Sequence, residues 1–190
     1  HNFFSNLAFN LAERNLGKTS TNPSVGCVIV KNNSVISSAV TSINGRPHAE
    51  YNALNKKELN FRGAYMYVTL EPCAHYGVTP PCTNIIQKKK IDKVFYNLED
   101  PDKRTNKKAE KILKRVIKLN LKNIKRKDLY KSYFINKKKN IPYIDAKIAF
   151  SKDFFTIDKR NKWITNPRSR RVAHLIRSSY DCIVSTSKSI

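Results

Sequence analysis

The chain has 190 residues, and its 37 Lys and Arg against 14 Asp and Glu give a formal charge of +23. An apolar content of 40% is enough to bury a core, which excludes wholesale disorder. No apolar run approaches the ~18 residues of a membrane helix, and four cysteines are too few for a secreted disulfide scaffold. These features indicate a globular, cytoplasmic protein without a membrane partner.

The first forty residues predict a helix followed by a β-hairpin. Apolar residues repeat at helical spacing over residues 4–11, and Gly17 follows as the residue that ends the helix. The continuous apolar run at 25–30 is typical of a strand buried on both faces. The Asn-Asn pair at 32–33 then predicts a turn into a second strand at 35–40.

Helices and strands alternate after the hairpin. The pattern predicts a helix from His48 to about Leu59, a strand at 64–70, a helix capped by Thr79, a strand at 93–98 and an amphipathic helix at 106–119. Alternation of this kind indicates parallel strands joined by crossovers. We therefore expect a mixed central sheet with helices on both faces, led by the antiparallel hairpin.

Positive charge is concentrated in the middle of the chain, where residues 87–140 carry 20 basic and 6 acidic side chains. One interpretation is a surface that grips the phosphates of a nucleic acid. The other is a set of solvated helix faces, because Lys outnumbers Arg 26 to 11 and nucleic-acid sites usually cluster Arg with aromatic residues. We favour the solvated faces and expect no nucleic-acid partner.

Three short motifs carry chemistry: His48-Ala49-Glu50, Pro72-Cys73 and Pro81-Cys82. Their order matches the signature of zinc deaminases that act on nucleobases, except that eight residues separate the cysteines instead of two. A catalytic zinc takes three protein ligands and keeps one position for water, and one His with two thiolates supplies that number. Glu50 would then serve as the general acid–base group.

Two other interpretations of these residues stay open. His75 would complete a closed structural site of the Cys2His2 type with the three candidate ligands, which leaves Glu50 without a role. Alternatively, the cysteines are ordinary core residues, which is what we expect for Cys27 inside its apolar strand.

Longer motifs around these residues resemble one particular family. They read TNPSVGCVIV at 21–30, PHAE at 47–50, YVTLEPCAHYG at 67–77, TPPC at 79–82 and DP at 100–101. Together they are similar to the deaminase domain of the bifunctional riboflavin-biosynthesis deaminase–reductases, a family that also has the eight-residue cysteine spacing. The resemblance implies a cytidine-deaminase-like three-layer α/β/α sandwich with a mixed central sheet.

Residues 141–190 resemble the opening portion of the reductase domain of the same family, which has a dihydrofolate-reductase-like α/β fold. We accordingly predict a zinc-dependent deaminase domain at 1–127, a basic linker helix at 128–140 and an N-terminal reductase fragment at 141–190. Within that fragment, strands are expected at 141–143 and 182–184.

The resemblance implies a reaction and a set of site residues. The reaction is hydrolytic removal of the 2-amino group of 2,5-diamino-6-(5-phosphoribosylamino)pyrimidin-4-one. One Zn²⁺ would be held by His48, Cys73 and Cys82, with Glu50 as the proton shuttle, and Asn22, His75 and Asp100 would contact the substrate. In the reductase fragment, substrate positions fall on Asn161 and Arg177 and NADPH positions on Ala149, Trp163 and Ser189, with reduction expected only of the full-length protein.

Two positions expected near the substrate depart from the family pattern. Thr41 stands where the family usually has His, and Val78 where it usually has Lys or Arg. We therefore retain two rival hypotheses: a deaminase of bases in RNA or DNA that uses the basic segment, and a zinc-stabilised domain without catalysis. The expected partners are a small phosphorylated pyrimidine and further copies of the chain in a homo-oligomer.

Overall fold

The computed structural model describes residues 1–120, 125–156 and 163–185. The chain divides into two compact units, residues 1–143 and 144–190. The first unit contains, in chain order, α1 (Asn2–Glu13), β1 (Gly26–Lys31), β2 (Ser34–Val40), α2 (Ala49–Leu54), β3 (Tyr65–Leu70), α3 (Cys82–Lys88), β4 (Lys93–Leu98), α4 (Ala109–Ile112), β5 (Val116–Lys118) and α5 (Lys131–Lys139). The second unit contains α6 (Pro167–Arg177).

The five strands form one mixed sheet in the order β2-β1-β3-β4-β5. Strand β1 is antiparallel to both β2 and β3, whereas β3, β4 and β5 run parallel to one another. Asn32 and Asn33, which join β1 to β2, both have positive φ, as the tight turns favoured in hairpins require. The predicted mixed sheet led by a hairpin is confirmed.

Helices cover both faces of this sheet because buried residues alternate between the faces along each strand. On one face, the buried side chains of α1 and the sheet are Ala8, Leu11, Val28, Val30, Tyr67 and Phe95. On the other face, α2, α3 and the sheet contribute Ala53, Leu54, Ile86, Ile29, Met66, Val68, Val94 and Tyr96 to a larger cluster. The result is the expected three-layer α/β/α sandwich.

Three elements differ from the sequence-based expectation. Helix α2 ends at Leu54 instead of near residue 59, because residues 55–58 are all exposed and offer no apolar face to bury. Helix α3 begins at Cys82, and its N-cap is Pro81 instead of Thr79.

The long amphipathic helix expected at 106–119 is the third difference. The segment forms the short helix α4 and then strand β5, in which Val116 lies opposite Val94 of β4. The apolar residues at 112–117 fit a helical period, but the β-branched pair at 116–117 also suits a strand. Pairing with the open edge of β4 decides between them, so the prediction was wrong.

The segment 128–140 is helical and packs within the first unit. Tyr130, which precedes α5, is only 1% exposed, and its hydroxyl donates a hydrogen bond to the Ser24 carbonyl oxygen at 2.8 Å. The Tyr130 hydroxyl oxygen in turn accepts a hydrogen bond from the Thr69 hydroxyl at 2.5 Å. Because Thr69 belongs to the central strand β3, this tyrosine attaches α5 to the middle of the sheet.

The second unit has one regular element in its described residues. Asn166 caps α6 by accepting a hydrogen bond from the Ser169 N–H at 2.8 Å, and Pro167 occupies the first helical position. The strands expected at 141–143, which lie at the end of the first unit, and at 182–184 in the second unit are not formed, and among the described residues neither segment pairs with a neighbouring strand. Within the described ranges, no helix has the length and apolar character needed to cross a membrane.

Candidate active site

The three candidate zinc ligands converge from three separate places in the chain. His48 is the N-cap of α2, Cys73 follows β3, and Cys82 is the first residue of α3. His48 Nδ1 lies 3.6 Å from Cys73 Sγ and 3.5 Å from Cys82 Sγ. Ligands about 2.3 Å (Zn–S) and about 2.0 Å (Zn–N) from one tetrahedral ion stand about 3.5 Å apart. The spacing of these atoms therefore fits a single zinc ion.

The start of α3 also favours a thiolate in this cluster. The Cys82 N–H donates a hydrogen bond to Cys73 Sγ at 3.1 Å. Hydrogen bonds from Cys82 and His48 lower the pKa of the Cys73 thiol to about 4, and the bond to Cys73 raises the pKa of His48. The cluster thus holds negative charge that protons or a metal cation must balance.

Glu50 is buried in the first turn of α2, two residues after His48. Burial is the main reason that its pKa is raised to about 7. A carboxyl group with a pKa near neutrality both accepts and releases a proton readily, which suits a general acid–base group. Glu50 lines a cavity whose residues all belong to the first unit, between Asn22 and Lys137.

A cavity of about 370 Å³ opens onto the ligand cluster. Besides the ligands His48 and Cys73 and the carboxyl group of Glu50, its lining includes Asn22, Thr41, Arg46, Glu71, His75, Val78, Thr79, Asp100, Asp102, Arg104, Tyr133 and Lys137. The structure therefore brings Asn22, His75 and Asp100 to the same cavity as the ligands. Their roles toward a substrate stay predictions.

His75 lies outside the ligand cluster. Among the residues that the structure describes, the only group of three or more potential ligand side chains within 4.8 Å of one another is His48, Cys73 and Cys82. The Nδ1 atom of His75 instead hydrogen-bonds the Thr105 hydroxyl at 2.9 Å. This arrangement weighs against the closed Cys2His2 site.

Asp100 is held in the cavity by a residue that the sequence analysis missed. Its Oδ1 atom accepts hydrogen bonds from the Tyr133 hydroxyl and the Asp102 N–H, both at 2.9 Å. Burial raises the pKa of Asp100 to about 6. Tyr133 belongs to α5, where one tyrosine among many lysines gives no signal in a single sequence that it reaches the site.

Glu71 supports the loop that carries Asp100. Its carboxylate accepts hydrogen bonds from the N–H groups of Asp100, Lys107 and Ala109 at 3.1–3.4 Å. This buried carboxylate replaces backbone partners that the loop cannot supply for itself. Although Glu71 lines the cavity, its contacts indicate a structural role.

The two departures from the family pattern have different surroundings. Thr41 is buried, and its Oγ1 accepts a hydrogen bond from the Val25 N–H at 2.9 Å, so it joins the two ends of the hairpin. Val78 is 85% exposed at the rim of the cavity and brings no charge there.

The site residues expected in the second unit are only partly described. Trp163 is exposed, and the Arg170 guanidinium lies 4.6 Å from its ring centroid. Ala149 lies in an irregular segment, and Arg177 is the last residue of α6. Asn161 and Ser189 lie outside the described residues, so the reductase assignments stay predictions.

The aromatic residues of the basic segment are turned into the first unit. Tyr130 is buried, and Tyr133 and Phe134 pack against the main core. This packing covers part of each ring, so the rings do not form an open stacking surface for bases, although Lys137 Nζ and Lys138 Nζ lie 5.8 Å from the ring centroids of Tyr133 and Phe134, respectively. This supports the interpretation of the lysines as solvated faces.

Comparison with known proteins places the domain in a family. The family model described as the cytidine and deoxycytidylate deaminase zinc-binding region matches residues 1–98. The chain belongs to this family. The cytidine-deaminase-like fold inferred from the motifs is thus confirmed for the deaminase domain.

Curated relatives of the deaminase domain are riboflavin biosynthesis proteins. The chain is 35% identical to RibD of Haemophilus influenzae over 98% of its own length and 52% of that protein. It is 36% identical to RibD of Aquifex aeolicus over 92% of its length and 50% of that protein. The chain therefore spans about half the length of the curated relatives it matches, and the recognition of a RibD-type deaminase domain is confirmed.

Solved structures agree with the sequence relatives. Acinetobacter baumannii RibD, form 1, superimposes with a TM-score of 0.83 at 34% identity, covering 93% of this chain and 51% of that one. The Thermotoga maritima diaminohydroxyphosphoribosylaminopyrimidine deaminase/5-amino-6-(5-phosphoribosylamino)uracil reductase gives 0.81 at 33% identity, covering 92% and 52%.

Proposed function

We propose that the first unit removes the 2-amino group of 2,5-diamino-6-(5-phosphoribosylamino)pyrimidin-4-one by hydrolysis, giving the corresponding aminouracil and ammonia. The observation that carries this proposal is the convergence of His48, Cys73 and Cys82, with 3.5–3.6 Å between the imidazole nitrogen and each sulfur, beside a buried Glu50. Similarity to RibD proteins supports the choice of a riboflavin precursor as the substrate.

The residues divide the chemistry between them. Zinc held by His48, Cys73 and Cys82 would supply a Lewis acid that lowers the pKa of water to about 7. Glu50 accepts a proton from the attacking water and delivers it to the departing amino nitrogen, which leaves as ammonia. The carbon that carried the amino group keeps the water oxygen as a carbonyl, and the second water proton ends on the adjacent ring nitrogen, so atoms and protons balance.

Two cavity side chains retain free acceptor atoms for the pyrimidine. The Asn22 amide nitrogen donates to the Gly45 carbonyl oxygen at 3.0 Å, which leaves Oδ1 as an acceptor. Among the described residues, hydrogen bonds to the Asp100 carboxylate fall on Oδ1, which leaves Oδ2. An amide oxygen and a carboxylate oxygen can read the N–H groups of a diaminopyrimidinone.

The remaining features of the proposal concern the whole protein. Reduction with NADPH would require the full-length deaminase–reductase. A cytoplasmic location and a homo-oligomeric assembly also stay predictions.

Ammonia release from the diaminopyrimidine nucleotide tests the proposal. Glu50→Gln should lower kcat by about 10²–10⁴-fold, because it removes a general acid–base group. Zinc content, measured on the same samples, should stay at one ion per chain. Glu58→Gln, at an exposed position shortly after α2, is the matched control and should turn over like the wild type.

Three results would contradict the proposal. A Glu50→Gln variant with wild-type turnover would remove the shuttle role. Zinc-loaded wild type that releases no ammonia would favour a non-catalytic domain. Deamination of bases in RNA with steep salt dependence would favour the nucleic-acid rival.

A further inference from the structure

Three cationic side chains line the cavity, and two of them share one carboxylate. Arg104 Nη2 lies 2.7 Å and Lys137 Nζ lies 3.4 Å from Asp102 Oδ2. Arg104 also donates from Nε to the same carboxylate, so one edge of its planar guanidinium makes a bidentate contact with Asp102. These two cations are therefore already directed toward an anion of the protein.

Arg46 is the third cation, and its surroundings differ. Its Nη1 atom donates a hydrogen bond to the Thr79 hydroxyl at 3.1 Å. In the described part of the chain, no carboxylate lies within 4.0 Å of its guanidinium. A half-buried guanidinium bound only to a neutral hydroxyl retains its full charge and most of its donors for a ligand.

The backbone immediately before Arg46 is held in place. Gly45 has a φ of +83°, and a Cβ there would come within 2.5 Å of the Thr19 carbonyl oxygen. The Asn44 N–H donates to the Lys18 carbonyl oxygen at 2.8 Å, and the Asn22 amide holds the Gly45 carbonyl oxygen. The arginine thus projects from a preorganised loop, which lowers the entropic cost of binding a ligand.

Arg46 lines the same cavity as His48 and Cys73, so it borders the space open to a substrate whose base lies near the zinc ligands. It precedes the ligand His48 by two residues, and its partner Thr79 precedes the ligand Cys82 by three. The neighbouring Val78 is uncharged and exposed. Among the described residues that line the cavity, Arg46 is therefore the one Lys or Arg without an anionic partner.

We propose that Arg46 binds the phosphate of the ribosyl phosphate group and so determines selectivity for phosphorylated over unphosphorylated substrates. The identity of the substrate rests on the proposed function. The planar guanidinium offers parallel donors that match two phosphate oxygens. The Thr79 hydroxyl holds the guanidinium in its orientation before the ligand arrives.

Phosphorus NMR titration of the zinc-loaded chain with ribose 5-phosphate tests this proposal without any turnover. Arg46→Gln removes the positive charge and leaves a shorter, uncharged polar side chain at this position. It should weaken binding by about 10–100-fold, the usual value of a hydrogen bond to a charged group. Arg46→Lys should recover part of the affinity, and Lys137→Ala, the matched cavity cation already directed to Asp102, should change it much less.

The outcomes separate this proposal from the proposed function. Three results would each overturn the role of Arg46: displacement of ribose 5-phosphate from the wild type by an equal concentration of ribose, wild-type affinity in Arg46→Gln, or an equal loss of affinity in Lys137→Ala. Charge-dependent binding of ribose 5-phosphate in a protein that releases no ammonia would contradict only the deaminase proposal. In an active protein, Arg46→Gln should raise KM for the phosphorylated substrate and leave KM for its dephosphorylated form unchanged.

Discussion

The two units of the chain differ in what their apolar side chains contact. In the first unit, the sheet has helices on both faces, and Phe9, Met66 and Tyr96 are fully buried. In the described residues of the second unit, no side chain is buried, and Phe155 and Leu175 are 63% and 69% exposed. A sheet covered on both sides encloses apolar surface by itself, whereas a single amphipathic helix does not.

This difference explains where chemistry can be supported. The ligand atoms of His48, Cys73 and Cys82 must keep their separations to within a few tenths of an ångström to bind one ion. Such accuracy requires elements held by a packed core, and α2, α3 and β3 all contribute to the main core of the first unit. The cavity and its buried carboxyl groups accordingly lie within that unit.

The largest expected effect comes from the same substitution made in each unit. Phe9→Ala should lower the free energy of unfolding by about 3–5 kcal/mol, because it leaves a cavity in a closed core. Phe155→Ala should change it by no more than about 0.5 kcal/mol, because this ring is largely in solvent. Urea unfolding followed by circular dichroism measures both. Equal losses would show that the contrast between the units is wrong.

A second prediction concerns the buried carboxyl group of Asp100. Its pKa in the folded protein is about 6, compared with an ordinary value of 3.8, so the native state binds this proton more tightly than the unfolded chain. Stability relative to Asp100→Asn should therefore fall by about 3 kcal/mol as the pH rises from about 4 to 7, and level off above that. Urea titrations at several pH values measure the difference.

The same substitution at Asp128, an exposed carboxylate of the first unit, is the control for this pH dependence. If the stability difference between wild type and Asp100→Asn does not vary with pH, the carboxyl group is not desolvated. The cavity would then be more open to water than the structure indicates.

The smallest expected effect tests whether residues 128–140 belong to the packed first unit. Tyr130→Phe removes the hydroxyl that connects Thr69 to the Ser24 carbonyl oxygen, and it leaves both buried groups short of a partner. The free energy of unfolding should fall by about 1–3 kcal/mol. Tyr51→Phe, at a half-exposed tyrosine of α2, is the control. Identical unfolding of Tyr130→Phe and wild type would mean that residues 128–140 are only a linker.

Part of the fold was predictable because its signals are local. Strands β1, β3 and β4 are continuous apolar runs bounded by turn residues, and their predicted limits differ from the observed ones by at most one residue. The zinc ligands were predictable for a related reason. The sequence shows the residue types of the ligands, their order and their positions at the ends of predicted helices and strands. One His and two Cys match the ligand set of a catalytic zinc.

Other features depend on contacts between distant segments, and the sequence alone did not determine them. Residues 116–118 became a strand because β4 offered an unpaired edge, although their spacing also fits a helix. Tyr133 contacts Asp100 because Tyr130 attaches α5 to the central strand β3. The hydroxyl group that forms this attachment bonds Thr69, which lies 61 residues earlier in the chain.

The pairing of charges in the cavity also depends on the tertiary structure and not on the composition alone. Composition establishes that the chain is strongly basic, but it does not say which cations face an anion. Asp102 engages Arg104 and Lys137 and leaves Arg46 without a carboxylate partner, which follows only from the folded positions of three separate segments. Local periodicity therefore determines which elements form, whereas the tertiary structure decides which side chains share a cavity, because Coulomb and hydrogen-bond energies depend on distance in space.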